Sequence, residues 1–293
     1  MNFGVTLPNL GVGDDPRVVV DLAVEAEAAG WDAVFVWDTP YASDVQDAVQ
    51  ETFDAWALMT AIALRTQDVQ IGTMITPLAW RRPWEIARQA MTLDRLSNGR
   101  FILSVGLGWV PEEGGSALGE VTDRRTRAEM LDESLEILAR CWKGERFSFH
   151  GEHYDIDNLL FLPVPQRQIP IWVVGAWHRE PDVWPQRKSM RRAIRWDGVL
   201  PNVFDGTGNT HKSSPDDIRA MTEWIRAERP EAFEVVCEGG GESEDVNTDA
   251  AVVSEWRDAG ATWWLEAVWW SMYRHPGSPE PMRRRIRLGP PRP

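Results

Sequence analysis

The chain has 293 residues, 43% of them apolar, enough for one sizeable core and within the range of about 200 to 400 residues of a single α/β barrel. A formal charge of −14 argues against nucleic-acid or anionic-membrane partners, which need a basic face. No apolar run reaches the roughly 18 residues needed to cross a bilayer. Cys141 and Cys237 stand alone and far from any CxxC, which points to a reducing cytoplasm and no disulfide framework. Residues 1–5 carry no basic region and lead into a strand pattern, so no signal peptide is expected.

Residues 2–7 read as a first strand stopped at Pro8, and Asp15-Pro16 starts a helix that runs to Ala29 and ends before Gly30. Residues 31–37 form a second strand and 53–64 a second helix. Residues 69–76 make a third strand, 84–96 a helix stopped by Asn98-Gly99, and 100–105 a fourth strand opening into Gly106-Leu107-Gly108. A long helix over 124–142 follows, then a small hairpin over 147–156 around Gly151. Residues 169–175 are a fully apolar fifth strand, as a buried parallel strand should be. A basic helix over 189–195 leads to a sixth strand at 197–200. Ser214-Pro215-Asp216-Asp217 starts a helix, and 233–238 is a seventh strand followed by an acidic Gly-rich loop. A helix over 248–259, an eighth strand over 262–268 and a short helix over 279–287 complete the chain. Eight alternating units without a linker-like break predict a (β/α)8 TIM barrel in one domain, residues 1–293, with the hairpin as an insertion after the fourth helix. A doubly wound sheet is the rival fold.

Catalytic groups of such barrels sit at the carboxyl ends of strands. After strand two stand Asp38 and Thr39; Asp38 serves either a reaction or the loop, as a cap on backbone N–H groups. Strand three ends in Thr73-Met74-Ile75, and the two glycines after strand four, Gly106 and Gly108, fit either a tight turn or the approach of a planar ligand. Pro111 stands where a dinucleotide fingerprint needs its third glycine. Gly175-Ala176 offers either backbone N–H groups for an anion or a bare turn. His178 lies in the next loop, at the mouth, while His150 and His153 sit in the hairpin with no third ligand, so no metal site is expected. No GxSxG elbow is present. Seventeen tryptophans are unusual, and Trp37, Trp80, Trp109, Trp177, Trp196, Trp269 and Trp270 cluster near strand ends, filling either the rim or an aromatic-walled pocket. The run Arg283-Arg284-Arg285-Ile286-Arg287 reads as a solvated helix face or a partner for the acidic surface.

Several stretches resemble the luciferase-like flavin- or deazaflavin-dependent oxidoreductases over nearly the whole chain. They are Phe3-Gly4-Val5-Thr6-Leu7-Pro8-Asn9, Val36-Trp37-Asp38, Ile71-Gly72-Thr73-Met74-Ile75-Thr76-Pro77 and, the most specific, Leu93-Asp94-Arg95-Leu96-Ser97-Asn98-Gly99-Arg100. Gly106-Leu107-Gly108-Trp109, Pro170-Ile171-Trp172-Val173-Val174-Gly175 and Arg192-Ala193-Ile194-Arg195-Trp196-Asp197-Gly198 extend the set. The resemblance implies a flavin-like ring, of FMN or coenzyme F-420, across the ends of strands three and four. It implies a bulge with a non-proline cis peptide at Thr73–Met74 or one bond later, and the cofactor phosphate at Gly175-Ala176. Asn9, Trp109, Trp177 and His178 then face the substrate, with Asp38 and Thr39 as catalytic candidates. Family members that reduce the deazaflavin with a sugar phosphate have a His after the strand-two Asp and a Glu after the strand-four glycines; Thr39 and Trp109 stand there in this chain.

The resulting expectation is a cytoplasmic oxidoreductase using coenzyme F-420 or FMN on a small organic substrate by hydride transfer or monooxygenation. A basic group at Arg179, Arg187, Lys188, Arg191 and Arg192 tilts the choice slightly toward the longer anionic tail of F-420. A homodimer is allowed; neither nucleic acid nor membrane is expected. The alternatives are a Trp-lined carbohydrate-active barrel, with Asp38 and Glu266 as its carboxylate pair, and a flavin-binding barrel without catalysis.

Overall fold

The structure is a computed structural model that describes residues 1–39, 44–45, 48–49, 51–108, 118–180, 188–205, 210–239, 246–269, 271, 274–275 and 277–292. Eight parallel strands carry it: β1 Asn2–Leu7, β2 Ala33–Val36, β3 Gln70–Thr73, β4 Phe101–Gly106, β5 Ile171–His178, β6 Gly198–Phe204, β7 Glu234–Gly239 and β8 Trp263–Glu266. Each pairs with the next, and β8 pairs with β1, so the wall closes into the expected (β/α)8 barrel. The helices outside it are α1 Arg17–Ala28, α2 Ala55–Arg65, α3 Pro83–Leu96, α4 Arg124–Cys141, α5 Lys188–Ala193, α6 Pro215–Glu228, α7 Val246–Ala259 and α8 Glu280–Arg287. Local signals explain their limits. Proline opens α3, and Asn98 (φ 55°) and Gly99 (φ 82°) end it in the left-handed region. Ser214 and Asp217 form a reciprocal capping box at α6.

Side chains alternate across the wall. Phe3, Val5, Leu7, Val34, Val36, Leu103, Val105, Val173 and Val199 join the helices in the outer core. Phe35, Trp172 and Trp263 fill the lumen, with Phe35 stacked on Trp172 at 5.3 Å and Trp172 edge-on to Trp263 at 5.2 Å. Room for these rings comes from glycine. A Cβ on Gly72 would strike the Phe35 ring, and one on Gly198 would lie 2.6 Å from Trp172 Cδ1. The lumen is thus plugged by aromatics below its mouth.

Strand three is interrupted. Gly72 pairs with Ile102 and Thr76 with Val105, so β3 spends four residues where β4 spends three. That is a one-residue bulge. The Met74–Ile75 peptide within it is cis, the second of the two bonds expected, and pairing resumes at Thr76–Pro77.

The insertion hairpin pairs Arg146–His150 with Asp155–Leu160, and Glu133 of α4 accepts the N–H groups of Glu152, His153 and Tyr154 at its turn. His150 pairs with Asp155 and His153 lies 3.5 Å from Glu129. Among the described residues no three His, Cys, Asp or Glu side chains converge to hold a metal, and no helix is long and apolar enough to cross a membrane.

Candidate active site

The carboxyl ends of the strands form a mouth with two unlike halves. On one side lies an apolar ledge. Met74, Ile75 and Val174 are partly exposed and pack down onto the aromatic plug. Gly106 makes the ledge possible, because any Cβ there would collide with Ile75 Cδ1 and crowd Val174 Cγ2 at 3.0 Å. The strand-four glycine therefore admits a strand-three side chain; it is not itself the gap for a ligand. Gly108 does the same for Pro77, whose Cβ would stand 2.7 Å from an added Cβ, and its φ of 79° needs glycine besides. Arg127 of α4, buried, donates from Nη1 to the carbonyls of Leu107 (2.9 Å) and Gly108 (3.2 Å) and so fixes this turn. Met74, Ile75 and Gly106 are thus brought together as expected, with Val174 added from β5.

Four other expected site residues are used by the fold. Thr73 Oγ1 donates to the Ser104 carbonyl (2.7 Å) and accepts the Ser104 N–H (2.9 Å), replacing ladder bonds lost at the bulge. Asn9 is fully buried; its Nδ2 donates to the carbonyls of Thr39 (2.9 Å) and Phe53 (2.8 Å), stapling the loop after β1 to that after β2. Thr39 enters this staple through its backbone. Asp38, 5% exposed, accepts from Trp56 Nε1 (3.2 Å) and Thr76 Oγ1 (3.0 Å) and pairs with Arg81. Burial pushes the Asp38 carboxyl up, and Arg81, Thr76 and Trp56 oppose that rise. Among the described residues its partners are side chains, and they tie it to α2 and to the segment that continues β3.

The β5 candidates divide by parity. The strand runs on to His178, so Gly175-Ala176 is no terminal turn. Gly175 faces outward, where a Cβ would lie 2.5 Å from Met190 Sδ and 2.8 Å from Val199 Cγ2. The Ala176 N–H donates to Ser189 Oγ at 2.9 Å. The Ala176 N–H offered to an anion is thus engaged by a serine, and Gly175 is part of the paired wall. Trp177 also faces outward and packs on Trp224 at 6.3 Å, which removes it from the mouth. His178 faces inward and stacks on Phe204 at 5.2 Å. Three of the five cations are ion-paired: Arg179 with Asp217, Arg191 with Glu228 and Arg192 with Asp132. Trp109, Arg187 and Trp270 lie outside the described residues.

The other half of the mouth is polar and aromatic, and sequence reading gave it little weight. Glu238 stands next to last in β7 on the inward side, with Val236 below it in the lumen and Val235 and Cys237 in the outer core. Its Oε1 accepts from Thr6 Oγ1 (3.0 Å) and Trp269 Nε1 (3.0 Å). Trp269 meets Trp37 at 4.9 Å over Leu10. Period-two counting from Val236 would have placed Glu238 inside, at the end of the expected strand and just before the Gly-rich stretch. Glu266 is on the opposite side of the wall. It accepts from Trp264 Nε1 (3.0 Å) and Arg285 Nε (3.1 Å) in the outer layer, so the carboxylate pair of a carbohydrate-active barrel does not form.

Residues 1–180 match the family described as luciferase-like monooxygenase. The chain is 34% identical over 218 residues to an F420-dependent glucose-6-phosphate dehydrogenase of Amycolatopsis mediterranei (strain U-32), covering 70% of this chain and 64% of that one. It is 35% identical over 165 residues to the protein of the same name from Mycolicibacterium fortuitum, covering 55% and 48%. The match thus spans about half to two thirds of these relatives' length. An F420-dependent secondary alcohol dehydrogenase, solved with an F420-acetone adduct, shares the fold at a TM-score of 0.77 and 17% identity, over 98% of this chain and 96% of that one.

Proposed function

The chain belongs to the luciferase-like monooxygenase family, and from that membership we propose that it is an oxidoreductase that binds coenzyme F-420 or FMN in the barrel mouth and acts on a small organic substrate. The observation that carries this reading is the ledge of Met74, Ile75 and Val174, a partly exposed apolar shelf seated over Gly106 at the ends of β3, β4 and β5. A flat ring fits such a shelf. When bound, the cofactor supplies the redox chemistry. The chain's part is to hold the ring by its apolar face, keep water from that face and leave the opposite wall of Glu238, Trp37 and Trp269 to the substrate.

The names of the curated relatives support coenzyme F-420 over FMN. Their sugar-phosphate substrate does not carry over. Thr39 and Trp109 replace the imidazole and carboxylate of that reaction, and the Glu238 carboxylate in the mouth repels a phosphate. The two buried free thiols support a cytoplasmic location, and a homodimer completes the proposal. Titration with each cofactor, followed by absorbance, tests the central reading: saturable spectral change with coenzyme F-420 or FMN is expected. Unchanged spectra with both would overturn it.

A further inference from the structure

Among the described residues Glu238 is held by one oxygen. Thr6 and Trp269 both donate to Oε1, which fixes the carboxylate in one orientation. Among the described residues nothing donates to Oε2. The side chain is solvent-accessible, and the protein packed around it pushes its carboxyl up. Beside it stand the two indoles of Trp37 and Trp269. A partly desolvated carboxylate lowers its energy by accepting a charge-assisted hydrogen bond, and it raises the energy of any anion nearby. Tryptophan faces add attraction for an organic cation or an apolar body.

Resting on the reading of this mouth as an oxidoreductase site, we propose that Glu238 anchors the substrate: Oε2 accepts a hydrogen bond from a hydroxyl or a protonated amine carried on an apolar body against Trp37 and Trp269, and the carboxylate excludes anionic substrates, phosphate esters included. The site therefore takes alcohols or amines and rejects phosphorylated sugars. Burial pushes the Glu238 carboxyl up while the Trp269 and Thr6 hydrogen bonds oppose the rise, in keeping with a group whose lost hydration a ligand restores.

Three probes share one ring and differ only in the head group: benzylamine, benzyl alcohol and benzoate. Trp269 touches the anchor, so binding to the cofactor-free protein is read by tryptophan fluorescence. Saturable quenching is expected with benzylamine and benzyl alcohol and none with benzoate; the tighter of the first two identifies an amine or a hydroxyl substrate. In Glu238→Gln, which keeps an acceptor for Thr6 and Trp269, benzylamine should bind about tenfold more weakly, the scale of a hydrogen bond to a charged group. Benzoate binding should appear. Affinities unchanged in a folded Glu238→Gln protein, benzoate binding to the wild type as tightly as benzylamine, or quenching by none of the three would each overturn the proposal. Cofactor titration of both proteins keeps the two ideas apart. Normal cofactor uptake with no head-group preference sinks the anchor alone; the preference without cofactor uptake sinks the oxidoreductase reading.

Discussion

Asp38 and Glu238 are both carboxylates at strand ends, and their surroundings separate their roles. Asp38 has a donor on each oxygen and the Arg81 cation beside it, so it has little capacity left for a ligand. Among the described residues Glu238 has one oxygen occupied and no cation as a partner. This difference has a consequence for stability. The folded state raises the Glu238 pKa above its ordinary 4.5. Folding therefore favours the protonated form; that contribution is fully present below about pH 4.5 and is lost as pH rises through the folded pKa. Glu238→Gln keeps the shape and removes the ionisation. Its melting temperature should exceed that of the wild type at pH 8, and the gap should shrink as pH is lowered toward 4.5. Such a gain on removing a carboxylate is typical of a position kept for function at some cost in stability. A wild type that melts higher than the variant at pH 8 would mark Glu238 as a structural acid instead.

At the scale of elements, the eight strands and the helices between them were legible because buried parallel strands are short apolar runs and because caps and glycines punctuate them. Strand ends were less so. β5 and β6 run past the expected stops to His178 and Phe204, since residues 175–178 and 201–204 continue to pair. That extension turned Gly175 from a presumed anion turn into a wall residue under Met190. The bulge in β3 was expected from family likeness, but its partner in β4 was not: Gly106 is small so that Ile75 can lie across it. The atom in conflict is Ile75 Cδ1, which valine lacks. Gly106→Ala should displace the ledge, lower stability by about 1–3 kcal/mol as overpacked sites do, and weaken cofactor uptake. Adding Ile75→Val should recover part of both losses, so that the double variant is more stable than the sum of the singles predicts. Strict additivity in denaturant unfolding would show that Ile75 and Gly106 do not meet. Gly108 makes a poorer probe, because its positive φ strains any side chain there wherever the ligand lies.

For the whole molecule, the closure of the barrel depends on the arginine run that sequence assigned to solvent or to the acidic surface. Hydropathy registers four arginines in five residues as a polar face, and it carries no sign that one of them points into the protein. Arg285 is 6% exposed and donates to Glu266 of β8 (3.1 Å) and to the Gly289 carbonyl (2.9 Å), with its guanidinium over Trp31. Arg283 and Arg287 both reach Glu25 of α1 at 2.8 Å, and Trp31 Nε1 donates to the Ile286 carbonyl (2.9 Å). α8 thus fastens the last βα unit to the first, where β8 meets β1. The same seam carries the polar half of the mouth, because Thr6 Oγ1 lies 3.2 Å from the Glu266 carbonyl and 3.0 Å from Glu238. Arg285→Met leaves Glu266 buried without its cation, and removing one partner of a buried pair costs about 3–5 kcal/mol. The seam should loosen with it, so the Trp269 environment next to Glu238 should change in fluorescence before global unfolding. Replacing both partners, Arg285→Met with Glu266→Met, removes the Glu266 charge and should regain part of the stability, since apolar substitutes for a buried pair are often neutral or better, while Asp249, 3.6 Å from Arg285, still loses this cation. Arg287→Ala, whose ion pair is exposed, should cost only about 0–1 kcal/mol. Urea unfolding of the three variants checks the order, and a single Arg285→Met as stable as Arg287→Ala would show that the barrel closes without this pair.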